Sequence, residues 1–294
     1  MACPCPMPTT VLISFFGEER EKNWAVRGCP QTRPLGHLGF VARHQSRQHD
    51  AMSLRVILIT GANGGLGRAT AQVFLQESPD NHVWLGVNTH REHADKLASE
   101  NPGRCFCVLL DVIRPDSWKQ AVAEILARHH RLDVLVNNAG SHQDALLAMM
   151  PPDSWQRVLA TNLDGVFHGC QAVLPTMISQ RSGRIINIAS LSALVAPAGQ
   201  TNYAAAKAGV IALTQSLAKE VGRIGITVNA VCPGYVDTEA LAVMGEVERR
   251  RALEQIPMRR FGKPGEIAAA IRFLACAEAG YITGSVLKID GGIF

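Results

Sequence analysis

The chain reads as a single α/β domain built on a doubly wound parallel sheet of about seven strands. Two observations predict this. Short apolar runs without polar alternation recur from Arg55 onward, as in strands buried on both faces. Each run is followed by a stretch with helical spacing, so strand and helix alternate along the chain. A third feature points to where a ligand binds: the first strand runs into a glycine-rich turn, and in open α/β sheets ligands bind at the carboxyl ends of the strands. Together these describe a Rossmann-type architecture.

The elements follow in order. "RVILIT" is the first strand, "GANGGLG" its turn and "RATAQVFLQES" the helix behind it. "HVWLGVN" is the second strand, with a helix starting near Arg91. "CFCVLLD" is the third, followed by "DSWKQAVAEILARH" as a helix. "LDVLVNNAG" is the fourth strand with its turn. "GRIINIAS", "ITVNAVCPG" and "SVLKIDGG" supply the remaining three, separated by long helices. No change of composition divides residues 52–294, so they form one domain. "MGEVERRRALEQIPMRRFGKPGE" reads as a mobile substrate lid and its return, its charge run being a solvated helix face.

Bulk properties exclude several classes. Of the 294 residues, 47% are apolar and 18% charged, which fits a globular enzyme and not a disordered chain. A net charge of +4 is too small to argue for a nucleic-acid partner. No apolar run reaches the roughly 18 residues that span a bilayer, so a membrane is not expected and a cytoplasmic location is. The eight cysteines form no C-x-x-C and no zinc spacing, so they read as reduced and no metal is expected. His129, His130 and His168 lack ligand partners in pattern, and Trp118 and Trp155 read as core or interface.

The first 51 residues differ from the rest. They mix Pro, Gly, Arg and His without a sustained period, and "VLISFFG" is too short and too acidically flanked for a secretory signal. Met52 reads as the natural start, with the preceding segment a disordered extension or a misassigned start.

Thr60, Gly61, Gly65 and Gly67 spell T-G-x-x-x-G-x-G at the first strand-to-helix junction, with Asn63, Gly64 and Leu66 between. Small residues there let backbone amides and a helix N-terminus approach a diphosphate, so a dinucleotide site is expected. At the end of the second strand an NAD site places a carboxylate for the ribose 2′-hydroxyl. The chain has Val87, Asn88, Thr89, His90 and Arg91 instead. A 2′-phosphate is not repelled, and Thr89, His90 or Arg91 can receive it, so NADP is expected over NAD. Asp111, closing the third strand, either accepts from an adenine amino group or caps its own turn. Asn137 to Gly140, "NNAG", lets the chain pass the cofactor, while Asn137 can tie neighbouring strands.

"NYAAAKAGV" places Tyr203 one helical turn ahead of Lys207. Such a pair shares a helix face, and a cation beside a phenol lowers the phenol's pKa, which suits general-acid chemistry. The alternative is an incidental pair on an exposed face.

With these pieces in view, the chain resembles the short-chain dehydrogenase/reductase family from about Leu54 to its end. The glycine loop, "NNAG", Asn162, Ser190, "YAAAK" and the "PG" of Pro233–Gly234 occur in family order. Within the family it is most similar to the 3-oxoacyl-acyl-carrier-protein reductases, through "DALLAMMPPDSWQRVLATNLDGVF", "GQTNYAAAKAGVIALTQSLAKEV" and "YITGSVLKIDGG". The resemblance implies a catalytic tetrad of Asn162, Ser190, Tyr203 and Lys207. It also implies cofactor contacts from Val112, Asn138, Ala139, Gly140, Pro233, Gly234, Val236 and Thr238. It implies NADPH-dependent reduction of a 3-oxoacyl thioester in fatty acid synthesis, by a homotetramer. A reductase of acetoacetyl-CoA, a polyketide intermediate or another small ketone on the same scaffold is the alternative, and a non-catalytic dinucleotide sensor a remoter one. One departure stands out: Gly64 occupies a glycine-loop position where many such reductases have a basic residue. Arg181, Arg184 and Arg223 are candidates to meet an acidic carrier protein, or are plain solvated surface.

Overall fold

A computed structural model of the chain describes residues 54–242 and 244–294. The expectation for the first 51 residues lies outside them. The strands are β1 (Arg55–Thr60), β2 (Asn81–Val87), β3 (Cys105–Leu109), β4 (Val134–Asn137), β5 (Gly183–Ile188), β6 (Ile226–Pro233) and β7 (Val286–Ile289). All pairs are parallel and the order is β3-β2-β1-β4-β5-β6-β7. The order reverses between β1 and β4, and the crevice of a doubly wound sheet opens at such a reversal.

Apolar residues on both faces of each strand explain the two-sided burial. In β1, Val56 and Leu58 enter one core cluster while Ile57 and Ile59 enter the other. The first cluster packs beneath α3 (Pro115–His129), α5 (Gly165–Gln180) and α7 (Thr201–Val221). The second packs beneath α1 (Gly65–Glu77), α2 (Glu92–Glu100) and α10 (Pro264–Ala275). Trp118 of α3 is wholly buried in the first cluster, its indole N–H donating to the Val112 carbonyl at 3.0 Å, so it is core as expected.

Between α4 (Pro152–Leu159) and α5 the chain makes one wide turn of π-helix, Ala160–Asp164. Such turns occur often at functional sites. Two short helices, α6 (Ser192–Val195) and α8 (Glu239–Ala242), flank the crevice, and α9 (Glu246–Gln255) follows α8 in the expected lid segment. No described helix is long and apolar enough to cross a membrane.

Candidate active site

The glycine loop is locked to the end of β4. The Thr60 hydroxyl accepts from the Asn138 and Ala139 amides, both at 2.9 Å, and the Asn138 side chain donates to the Thr60 carbonyl at 2.9 Å. Thr60 is therefore a buried tie and does not face the cleft. Gly61 has φ +62°, and a Cβ there would stand 2.8 Å from the Ala139 Cα, so only glycine permits this crossing. Helix α1 opens at Gly64 with no side-chain cap. Its first amides are thus free to meet an anion.

A cleft of about 1010 Å³ runs from this loop across the carboxyl ends of the strands. Gly61, Asn63, Gly64, Gly65, Leu66 and Gly67 line its start, and Asn88, Thr89 and His90 one corner. Asp111, Val112, Asn138, Ala139 and Gly140 continue it, as do Pro233, Gly234, Val236 and Thr238. Asp111 is also a turn cap, its carboxylate accepting from the Ile113 amide at 3.3 Å. Asn137 is a tie between strands: its amide donates to the Asn187 side chain at 2.8 Å. These residues and the open helix end fit a dinucleotide.

Arg91 falls outside the lining. Its guanidinium forms two bonds to the Asp95 carboxylate, at 2.7 and 2.8 Å, one turn along α2. An i, i+4 acid claims the charge that was expected to meet a phosphate.

At the far end, Ser190, Tyr203 and Lys207 share the cleft. Tyr203 and Lys207 stand on α7, the ammonium 5.7 Å from the phenol ring centre. Lys207 is buried and donates to the Ile188 carbonyl at 2.7 Å. Burial pushes its pKa down to about 8. The expected lowering of the Tyr203 pKa is overturned. Burial raises it, and the nearby Ser190 hydroxyl opposes only part of that rise. Desolvation penalises phenolate more than its surroundings reward it.

Asn162 sits in the π-turn, wholly buried behind Gly140. Its amide nitrogen donates to the carbonyls of Ser141 (2.6 Å) and Val158 (2.8 Å), while its Oδ1 has no protein partner. A Cβ on Gly140 would lie 2.8 Å from that oxygen and 3.7 Å from the Lys207 ammonium, so glycine keeps the space between them open.

Several lining residues carry no sequence signal. His142 stands edge-on to the Tyr203 ring, 6.3 Å between centres. Gln200 joins Ser192, whose hydroxyl donates to it at 2.8 Å, to Asp144, which accepts from it at 2.8 Å. Tyr235, Leu241, Gln255 and Ile293 close the wall. They come from loops and the lid segment, where no periodicity marks them. Arg181, Arg184 and Arg223 lie elsewhere. Arg184 begins β5, with Arg181 just before it and Arg223 just before β6, all at the amino ends of the strands. The cleft is at the carboxyl ends, so these arginines do not border its mouth. Among the described residues no group of three or more His, Cys, Asp or Glu could hold a metal, and the five described cysteines are free.

A glycine loop at the reversal of a parallel sheet, with a serine, a tyrosine and a buried lysine in the same cleft, defines a dinucleotide-dependent oxidoreductase. Residues 61–293 match the family model described as Enoyl-(Acyl carrier protein) reductase. The chain is 44% identical to the 3-oxoacyl-[acyl-carrier-protein] reductase FabG of Thermotoga maritima, over 81% of this chain and 97% of that one. It is 39% identical to the Vibrio cholerae protein of the same name, over 82% and 97%. It is 41% identical to Nodulation protein G of Azospirillum brasilense, over 82% and 99%. The chain belongs to the short-chain dehydrogenase/reductase family.

Proposed function

We propose that the chain reduces 3-oxoacyl thioesters on acyl carrier protein to 3-hydroxyacyl thioesters in fatty acid synthesis, with NADPH. The observation that carries this is the placement of Ser190, Tyr203 and Lys207 at one end of a cleft whose other end is the glycine loop. The names of the similar reductases supply the substrate class.

A nicotinamide dinucleotide would supply the hydride when bound. The glycine-loop amides and the open end of α1 would hold its diphosphate, and Lys207 its ribose hydroxyls. Negative charge then grows on the ketone oxygen. The Ser190 hydroxyl donates a hydrogen bond to that oxygen. Tyr203 donates the proton. Lys207 stabilises the phenolate left behind. Asn162 Oδ1, an acceptor that burial leaves without a protein partner, holds a water that passes a proton back toward Lys207.

NADPH is favoured because no carboxylate stands at Asn88, Thr89 or His90, all exposed at the ribose corner. With Arg91 engaged and Gly64 lacking a side chain, the preference is moderate. A homotetramer is supported by apolar exposure beside the edge strand β7: Phe273, Tyr281, Leu287 and Phe294 all face outward in the single chain. Among the described residues, five free cysteines support a reducing compartment such as the cytoplasm. The test is kcat/KM for a 3-oxoacyl carrier-protein thioester with NADPH and with NADH. Turnover with NADPH is expected. A protein inactive on the thioester but active on a free ketone places it on another substrate.

A further inference from the structure

Helix α2 begins without a cap of its own. Arg91 occupies the N-cap position and makes no side-chain cap bond. Its guanidinium is turned along the helix to Asp95. The first-turn amides need an acceptor, which a Ser, Thr, Asp or Asn at the N-cap ordinarily supplies. Here it comes from elsewhere. Asn63 Oδ1 accepts from the amides of His93 at 2.9 Å and Ala94 at 3.1 Å, 30 and 31 residues along the chain.

Asn63 belongs to the glycine loop, and Asn88, Thr89 and His90 belong to the turn that leads into α2. All four line the same cleft. One carboxamide oxygen therefore fastens the segment that approaches the diphosphate to the segment that approaches the ribose. We propose that Asn63 is a positioning residue for the nucleotide, and that its neutral amide, where an acid would cap equally well, keeps the ribose corner open to a 2′-phosphate. The second clause rests on the NADPH reading given above, and the first does not.

The two amides are spent on Asn63, so the end of α2 offers little to an anion. Recognition at the ribose falls to the side chains of Asn88, Thr89 and His90, whose placement depends on the tie. An aspartate at 63 has the same two acceptor geometries and suits a helix N-terminus. It differs in two respects: it sets a negative charge beside the ribose corner, and it lacks the amide N–H that Asn63 offers to the neighbouring Glu92 carboxylate.

The experiment uses the full chain and two fragments that occupy only the adenosine end, adenosine 2′,5′-bisphosphate and adenosine 5′-monophosphate, with binding measured by calorimetry. Wild type is expected to hold the bisphosphate more tightly. Asn63→Ala is expected to weaken both fragments about tenfold, the scale of one lost cap converted to affinity. Its KM for the nucleotide should rise by more than its kcat falls. Asn63→Asp is expected to keep the melting temperature and the monophosphate affinity of wild type and to lose about tenfold on the bisphosphate alone. Asn63→Ala binding both fragments as wild type does overturns the positioning role. Asn63→Asp losing both fragments equally, or neither, overturns the role of the neutral amide. Wild type showing no preference for the bisphosphate refutes the NADPH reading and, with it, the role of the neutral amide. The Asn63→Ala arm still decides the positioning role.

Discussion

At the catalytic end of the cleft, Asn162 and Lys207 are buried and bonded to backbone carbonyls, and Tyr203 is held by the helix that carries it. At the end proposed for the ribose, Asn88, Thr89 and His90 are exposed, and the Arg91 guanidinium is paired with a neighbouring acid. The first region cannot be rearranged without stranding a buried polar group, which costs about 1–3 kcal/mol. The second can be re-equipped by changing one or two surface side chains. On the proposed reading, chemistry is fixed by burial, while the choice of nucleotide is set by substitutable groups in solvent.

The comparison is broken most severely at Tyr203. Tyr203→Phe is expected to lower kcat by about 10³-fold, the scale of a lost general acid. Nucleotide binding should persist, since the ring and Lys207 remain. Steady-state kinetics beside a binding titration check this, and near-normal turnover would remove the tyrosine from the chemistry.

Next comes the ribose end. Val87 is buried in the second core cluster, so a carboxylate there would be desolvated. Asn88 is exposed and lines the cleft. Asn88→Asp is expected to move the NADPH-to-NADH ratio of kcat/KM toward NADH by about tenfold or more, on the scale of one repulsive charge–phosphate contact. An unchanged ratio would show that the corner does not meet the ribose.

The pH profile gives a subtler view of the buried end. Lys207 is charged below its pKa of about 8 and neutral above it. The alkaline limb of kcat/KM is therefore expected to begin near pH 8. The same shift affects stability. The unfolded chain holds this proton more tightly, so stability should rise with pH from about 8 toward the ordinary lysine value near 10.4. A Lys207→Met variant should lack that rise, which chemical denaturation at several pH values measures.

The smallest effect is expected from Asp95→Ala, which frees Arg91 from its partner. NADPH preference should increase severalfold, within the range of one exposed charge-assisted contact. No change would mean that Arg91 cannot reach the ribose corner even when released.

Much of this was legible in the chain itself. Unbroken apolar runs with helical stretches between them forced a parallel sheet covered on both faces, because such runs have no polar face to give to water. The motif spacing marked Tyr203 and Lys207 as a candidate catalytic pair because it is local: the two are neighbours by helix geometry alone. The closing turns of "NNAG" and the glycine loop were legible for the same reason, since small residues there serve the backbone. What tertiary structure decided was competition among partners. The sequence offered Lys207 as the group that lowers the Tyr203 pKa, but desolvation in the folded chain raises it. It offered Arg91 to a phosphate, but the start of α2 set Asp95 in its way. It placed three arginines near the catalytic strand and helix in number, but parallel strands put them at the opposite end of the sheet from the cleft. It left Asn63 as one polar residue in a glycine loop, and only the fold brought it to the uncapped amides 30 residues on. Local spacing fixes which side chains can act. Which of them are free to act depends on desolvation and on long-range pairing, and those exist only once the chain is folded.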